Sequence, residues 1–368
     1  MGFNLAKCNF CGDCLDQCPH SDFTKETAAE EIRKLINNEP TKITKECITC
    51  LKCNDICPTG ANPFDLILWR IEQEGFQTTE AFRKLVALQE DENVFPSQVL
   101  HEGKPGMPTL CTCCFTGFIP NLFEGQLFED MKHIEGGAYE GQLALNHMGE
   151  RVPKEFLQKQ VNNIAATGAK EVVFFHDDCY EAFGVVALEN EIDVPFKCIP
   201  MSEYMRNYLK AHPEKIKKKL NRKVAVQMCC SQRLSPWQND YVSEILEMIG
   251  CERMKRTYDY ENQLCCQCAS APSKGNDYAE VYRDKNIVDA QQSGADTMVF
   301  SCAICCWIFR YKAKDAGMEP YMLINLVREA LGEELPVGGA ALGDDRPIVQ
   351  LGEKIITKAV DDFDLNAH

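Results

Sequence analysis

Most of the 22 cysteines in this 368-residue chain fall into groups whose spacing suits metal ligation rather than burial as isolated thiols. Two runs open the chain: Cys8-x2-Cys11-x2-Cys14-x3-Cys18-Pro19 and Cys47-x2-Cys50-x2-Cys53-x3-Cys57-Pro58. In such a run three close cysteines wrap one corner of a [4Fe–4S] cube, and the fourth reaches across to a second cube. The crossover assigns Cys8, Cys11, Cys14 and Cys57 to one cubane, and Cys47, Cys50, Cys53 and Cys18 to another. A module of this kind carries electrons and does no chemistry on a substrate. A third group lies far downstream: Cys230-x34-Cys265-Cys266-x35-Cys302-x2-Cys305.

The elements that must position these thiols can be read from the pattern around them. Residues 27–35 have helical spacing and insert a helix between the two N-terminal runs, and residues 64–92 read as helices, the second capped by Thr78 or Thr79. A Pro/Gly-rich stretch, 96–108, marks a boundary. Beyond it the chain repeats itself. AATGAKEVVFFHDDC, ending at Cys179, aligns with QQSGADTMVFSCAIC, ending at Cys305, at an offset of 126 residues, and CTCCF at 111–115 aligns with MCCS at 228–231. Each copy runs from a helix through Gly-Ala into a short apolar strand, with candidate ligands at the strand's carboxyl end. That is the signature of α/β units with parallel strands.

The expected fold is therefore an α+β ferredoxin-like domain (1–75), a helical linker (76–105), and a duplicated α/β, parallel-sheet, Rossmann-like cysteine-rich pair (106–220 and 221–335). A linker with a terminal helix at about 352–362 completes the chain (336–368). The formal charge of −16 argues against nucleic acid as a partner. No apolar run approaches the length needed to span a bilayer, and no secretory signal is apparent at the N-terminus. Cysteine usage of this density without a signal suits a reducing cytoplasm, where it serves metals rather than disulfides. No Gly-rich nucleotide fingerprint is present, so flavin or NAD must come from another chain.

The five-cysteine pattern from Cys230 to Cys305 resembles the cysteine-rich "CCG" domain of the B-type subunit of heterodisulfide reductase and of its D-type relative. The same domain occurs in iron–sulfur subunits of glycolate, lactate and anaerobic glycerol-3-phosphate dehydrogenases. The preceding two-cluster domain resembles the C-type subunit of heterodisulfide reductase. The resemblance, over about residues 1–335, implies a fusion of the C-type and B-type subunits. It also implies a noncubane [4Fe–4S] cluster held by Cys230, Cys265, Cys266, Cys302 and Cys305, at which a substrate disulfide is split. Gln267 stands where the family has glycine after the Cys-Cys pair.

The first copy departs further from the family. It keeps Cys114, but reads Asn146-His147-Met148-Gly149 where a Cys-Cys pair is expected, and His176-x2-Cys179 for C-x2-C. Cys114, His147, His176 and Cys179, with Cys113 or Cys111 as replacements, have the composition of a zinc site. A metal-free site and a Cys/His-ligated iron–sulfur cluster are the alternatives. Cys198, Cys229, Cys251, Cys268 and Cys306 read mostly as small buried hydrophobes, with Cys229 and Cys306, which flank ligands, as alternate ligands. Lys215 to Lys223 reads as a solvated basic helix, and Phe115, Phe118 and Trp307 as core.

The function implied is an iron–sulfur oxidoreductase subunit. It would pass electrons from a flavoprotein partner, a protein like the reductase's A-type subunit or an FAD dehydrogenase, through two cubanes to a noncubane cluster that reduces a small disulfide. An electron-transfer-only subunit of a flavin enzyme complex, or the iron–sulfur partner of an FAD-linked hydroxyacid or glycerol-3-phosphate dehydrogenase, is the alternative.

Overall fold

Helices dominate the first 75 residues: Asp13–Asp16, Lys25–Ile36, Ile43–Glu46, Lys52–Asp55 and Pro63–Glu74. The computed structural model describes residues 2–75, 80–116, 119–268 and 271–341. Thr78, Thr79, Phe118 and the terminal helix expected at 352–362 lie outside the described residues. Helix Lys25–Ile36 starts at Thr24, whose hydroxyl accepts from Thr27 N while Thr27 Oγ1 accepts from Thr24 N. Its Ala28, Ile32 and Leu35 are buried, and its buried Glu31 accepts the backbone N–H groups of Lys42 and Ile43, fixing the turn that leads into Cys47. Arg70 on the last of these helices donates to Leu35 O (3.2 Å) and Glu39 O (2.9 Å). These contacts set the two cysteine runs face to face.

Among residues 2–75 there is no strand, which corrects the α+β expectation for this segment. The inserted helix Lys25–Ile36 and helix Pro63–Glu74 build the core, and the short stretches around the cysteines spend their amides on turns and on sulfur. Little backbone is left to pair as a hairpin.

Beyond a helix at Glu80–Leu88, the described residues form nine strands in two sheets. The first contains β1 (Gln98–His101), β2 (Thr109–Cys113), β3 (Lys132–Glu135), β4 (Glu171–Phe174) and β5 (Lys197–Pro200) in the order β1-β3-β2-β4-β5. The second contains β6 (Lys223–Gln227), β7 (Glu252–Arg253), β8 (Thr297–Phe300) and β9 (Glu319–Met322) in the order β7-β6-β8-β9. All pairings are parallel except β1 with β3. The order β3-β2-β4-β5 is repeated as β7-β6-β8-β9. β2, β4 and β8 are buried almost throughout, as parallel strands covered on both faces must be. β1 lies in what reads as linker: a four-residue, fully exposed edge strand has no periodicity to betray it. The Lys215 to Lys223 run is not helical beyond the turn Pro213–Lys215. Its amides at Lys217, Lys218, Leu220 and Asn221 bond carbonyls of Ala330, Ile249 and Gly250.

One continuous apolar core joins the two sheets. The helix after β5, Met201–Ala211, packs on helix Gln238–Met248 of the second unit. In return, Arg328, on the helix after β9, donates to Asn121 O (2.5 Å), and Glu333 accepts from Gln126 N (2.9 Å).

Gly12 marks where the cysteine loop meets the inserted helix. It sits at φ +78°, and a Cβ there would fall 2.6 Å from Ala29 N and 2.9 Å from Ala28 C. Gly12→Ala is expected to cost about 1–3 kcal/mol and to lower iron bound at Cys8, Cys11 and Cys14. Anaerobic thermal unfolding with iron analysis measures both, and unchanged values for the pair would contradict this packing.

Candidate metal and redox centres

Cys8, Cys11, Cys14 and Cys57 line one cavity, with Gly12, Ile32 and Pro58 around them. Cys18, Cys47, Cys50 and Cys53 line a second, walled by Ile43, Leu51, Phe64 and Ile67. Cys14 borders both. Equivalent loop positions take the left-handed conformation in the two runs: Phe10 and Thr49 (φ 60° and 58°), then Gly12 and Leu51 (φ 78° and 59°). The curled backbone aims amides at sulfur: Thr49 N–H reaches Cys47 Sγ and Ala61 N–H reaches Cys57 Sγ, both at 3.3 Å. Burial, followed by the neighbouring thiols Cys57, Cys11 and Cys8, pushes Cys14 up to about 12. Burial and then Cys47 and Cys14 push Cys53 far up as well. Thiols crowded in apolar cavities cannot ionise without a cation among them, and an iron cluster is such a cation. The donor set fits two cubanes.

At the carboxyl edge of the second sheet, six thiols close a ring. In the order Cys230, Cys265, Cys266, Cys305, Cys302, Cys229 and back to Cys230, each is a side-chain neighbour that shifts the ionisation of the next. The strands place them: Cys229 and Cys230 follow β6, and Cys302 follows β8 as the N-cap of helix Ala303–Asp315, with Cys305 in its first turn. The Cys265-Cys266 loop is held by Arg283, which donates to Cys266 O (2.9 Å) and Gln267 O (3.2 Å). Gln267 adopts φ +62°, the conformation for which glycine is suited. Within the ring the neighbouring thiols Cys265 and Cys305 hold Cys266 down to about 5, and Cys229 and Cys305 hold Cys302 down to about 6. The ring gathers all five cysteines of the C-x34-CC-x35-C-x2-C pattern. It adds Cys229, which the sequence alone left mostly as a buried thiol.

The first sheet presents a different set at the same edge. β-register pairs Cys111 with Phe174 and Gln227 with Phe300, so Cys113 is the counterpart of Cys229 and Cys114 that of Cys230. His176 is the N-cap of helix Asp177–Glu181, as Cys302 is of its own helix, and Cys179 takes the place of Cys305. One ligand atom from each of Cys113, Glu140, His176 and Cys179 lies within 4.8 Å of the others, and all four residues are buried. His176 Nδ1 is 3.4 Å from Glu140 Oε1, 3.4 Å from Cys179 Sγ and 3.6 Å from Cys113 Sγ, and Cys179 Sγ is 3.3 Å from Glu140 Oε1. Tetrahedral zinc with bonds of 2.0–2.3 Å would separate its ligand atoms by about 3.4–3.8 Å. Burial opposes charge on His176, but Glu140 and Cys179 hold it well above its usual value. Glu140 also meets a burial penalty, and His176 overrides it, bringing its carboxyl down to about 2.

The four clustered donors differ from the set expected from sequence at two positions, one of them Cys113, the replacement the sequence already offered. Cys114 stands beside the cluster, its Sγ 3.6 Å from Glu140 Oε2, and Cys113 takes its place. His147 is elsewhere: its Nε2 is 3.5 Å from Cys230 Sγ, at the other ring, and Glu140 fills the fourth corner. Cys111 donates toward Tyr139 O (4.0 Å). Glu140 lies in EGGAYEG and has no spacing signal. Its one hint is an acid within a stretch rich in glycine and apolar residues. Phe115 is buried, its ring 4.7 Å from that of His176, while Trp307 is partly exposed.

The three thiol-rich sites follow one another in space. Cys14 borders both N-terminal cavities. Cys50 is pushed up by burial, pulled down by Arg233 and pushed up again by Cys265, a member of the ring. Around the junction Lys52 donates to Asn262 Oδ1 (3.2 Å), Arg233 to Gln263 O, and His20 bonds Tyr278 Oη (2.9 Å).

Comparison with known proteins agrees with the N-terminal geometry. Residues 1–58 match the 4Fe-4S dicluster domain family. The chain is 28% identical over 67 residues to the C-type subunit of the ferredoxin:CoB-CoM heterodisulfide reductase of Methanosarcina acetivorans. That match takes in 17% of this chain and spans about a quarter (27%) of the relative's length. The crystal structure of a hypothetical protein from Helicobacter pylori superposes with a TM-score of 0.51 at 11% identity, covering 91% of this chain and 72% of that one, a likeness of fold alone. The chain thus carries an iron–sulfur, electron-transferring domain at its N-terminus. Among the described residues no helix is long and apolar enough to cross a membrane.

The four-donor geometry makes a discriminating prediction for the non-iron metal content of the purified chain. Glu140→Ala and His176→Ala should each abolish it, while Cys114→Ser and His147→Ala should leave it intact. Elemental analysis of the four variants decides, and loss in His147→Ala with retention in Glu140→Ala would refute the geometry.

Proposed function

We propose that the chain is an iron–sulfur oxidoreductase subunit that reduces a small disulfide at the ring of Cys230, Cys265, Cys266, Cys302 and Cys305. The observation that carries this reading is the convergence of these thiols, from three separate loops, at the carboxyl edge of a parallel sheet beside Cys50 of the second N-terminal site. Open parallel sheets bind their ligands at that edge. Clusters held at the three sites would supply one-electron storage and transfer. The chain's own contribution is positional. The N-terminal helices set the two four-cysteine sites in line, and the loops after β6, β7 and β8 present a third, noncubane site with more thiols than a cubane requires. The reaction R–S–S–R′ + 2e⁻ + 2H⁺ → R–SH + R′–SH needs two electrons from outside. The absence of a Gly-rich nucleotide fingerprint points to a flavoprotein partner as donor. A cytoplasmic setting suits so many thiols.

We further infer that the first copy holds zinc on Cys113, Glu140, His176 and Cys179. With four protein ligands this site would be structural, leaving one copy to meet the substrate, and the repeated strand order is best read as a duplicated α/β unit. That asymmetry also favours a second reading. An electron-transfer-only subunit of a flavin enzyme, or the iron–sulfur partner of an FAD-linked dehydrogenase, needs just one terminal cluster.

Replacing Cys266 with Ser should remove about four of about twelve irons, leave the N-terminal clusters intact, and abolish the change that thiols or disulfides cause in the EPR spectrum. A variant that responds to thiols like the wild type would show that the ring is not the reactive site. A wild-type protein that transfers electrons but never responds to any disulfide would favour the second reading. X-ray anomalous scattering at the zinc and iron edges separates the metals.

A further inference from the structure

His147 is, like Cys229, a side chain that the five-cysteine pattern does not use and that the structure nevertheless brings to the ring. It ends the turn Ala144–His147, on the first sheet's unit, yet its imidazole bridges the other two parts of the molecule. Nε2 lies 3.5 Å from Cys230 Sγ, and Nδ1 lies 3.3 Å from Thr49 Oγ1, in the loop between Cys47 and Cys50.

The direction of these contacts follows from proton counting. A threonine hydroxyl has one proton, and Thr49 Oγ1 donates it to Ile48 O at 2.6 Å. Thr49 Oγ1 must then accept from His147, which puts the ring proton of the neutral imidazole on Nδ1. Nε2 is left as a bare lone pair facing Cys230 and the thiol ring. A histidine serving as hydrogen-bond donor to a cluster sulfur would have the opposite tautomer. The observed arrangement is that of a metal ligand, which donates its far N–H to an oxygen acceptor and turns its other nitrogen to the metal. The separation agrees: a nitrogen and a sulfur bound to one tetrahedral ion stand about 3.5 Å apart.

We propose that His147 Nε2 is a ligand to iron, on the same iron as Cys230, in the cluster held by the second thiol ring. This rests on the reading of that ring as a cluster site. His147 stands where the first copy would carry its Cys-Cys pair, so the degenerate copy has given a donor to its partner's site. Two consequences follow. A neutral imidazole on iron raises the reduction potential relative to thiolate ligation alone, which favours electron flow into this cluster. Thr49 also donates its N–H to Cys47 Sγ at 3.3 Å, so hydrogen bonds join Cys47, Thr49 and His147, and the link reaches Cys230 through the metal the two would share.

The test uses the full chain, purified anaerobically with and without ¹⁵N-histidine, and combines iron analysis with pulsed EPR of the third cluster. The expected result is about twelve irons and a strong nitrogen hyperfine coupling that changes with the isotope and disappears in His147→Ala. His147→Cys, which substitutes an anionic ligand at the same place, should retain the iron and lower that cluster's reduction potential. Twelve irons with no strong histidine coupling in the wild type, or a coupling that survives in His147→Ala, would overturn the proposal. Eight irons in the wild type would instead overturn the cluster reading of the ring, and the histidine ligand with it.

Discussion

Thiols buried together need a positive charge among them. In apolar surroundings a thiol resists ionisation, as Cys14 and Cys53 do, unless neighbouring thiols hydrogen-bond its charged form, as at Cys266 and Cys302. The chain gathers its cysteines in three such places, and the rest of the architecture can be understood as the scaffold that holds them there. Helix Lys25–Ile36, capped at Thr24 and tied through Glu31 to the turn before Cys47, fixes the N-terminal pair. Parallel strands, covered on both faces, deliver the third group to one sheet edge.

The two sheets then present a comparison internal to the molecule. The same strand order places His176 and Cys302 as N-caps, Cys179 and Cys305 one turn later, and Cys113 and Cys229 after the neighbouring strand. From this common frame the chemistry diverges. The second copy inserts two adjacent thiols and closes a ring of soft donors suited to iron. The first inserts Glu140, and the resulting two thiols, imidazole and carboxylate have the mixed softness and the spacing of a tetrahedral zinc site. On a repeated strand order, a change of side chains gives the two sheet edges different donor sets.

The junction between the N-terminal module and the second sheet is polar and specific. Lys52 and Arg233 hold the loop before Cys265, His20 bonds Tyr278, and Thr49 meets His147. Across this junction Cys50 and Cys265 are near enough that each feels the other's charge. A short separation between neighbouring centres is what electron transfer through a chain of sites requires, and the cross-packing of the helices after β5 and β9 joins the two sheets behind it.

What the amino-acid sequence by itself determined is whatever depends on neighbours along the chain. The C-x2-C-x2-C-x3-C-P runs, the apolar strand before each ligand loop, the inserted helix and the internal repeat are local patterns, because one loop or one strand must carry each. The tertiary structure alone decided the partners drawn from distant segments. Glu140 reaches His176 and Cys179 across the first sheet's edge, Cys229 enters the ring as the counterpart of Cys113, and His147 leaves its own copy for Cys230. The exposed edge strand β1 and the absence of a hairpin in residues 2–75 were equally hidden, since four residues have no period and turns spend their amides within a few residues. A ligand's type can be read from its residue, but its site is set by which loops the packed sheets bring to the same edge.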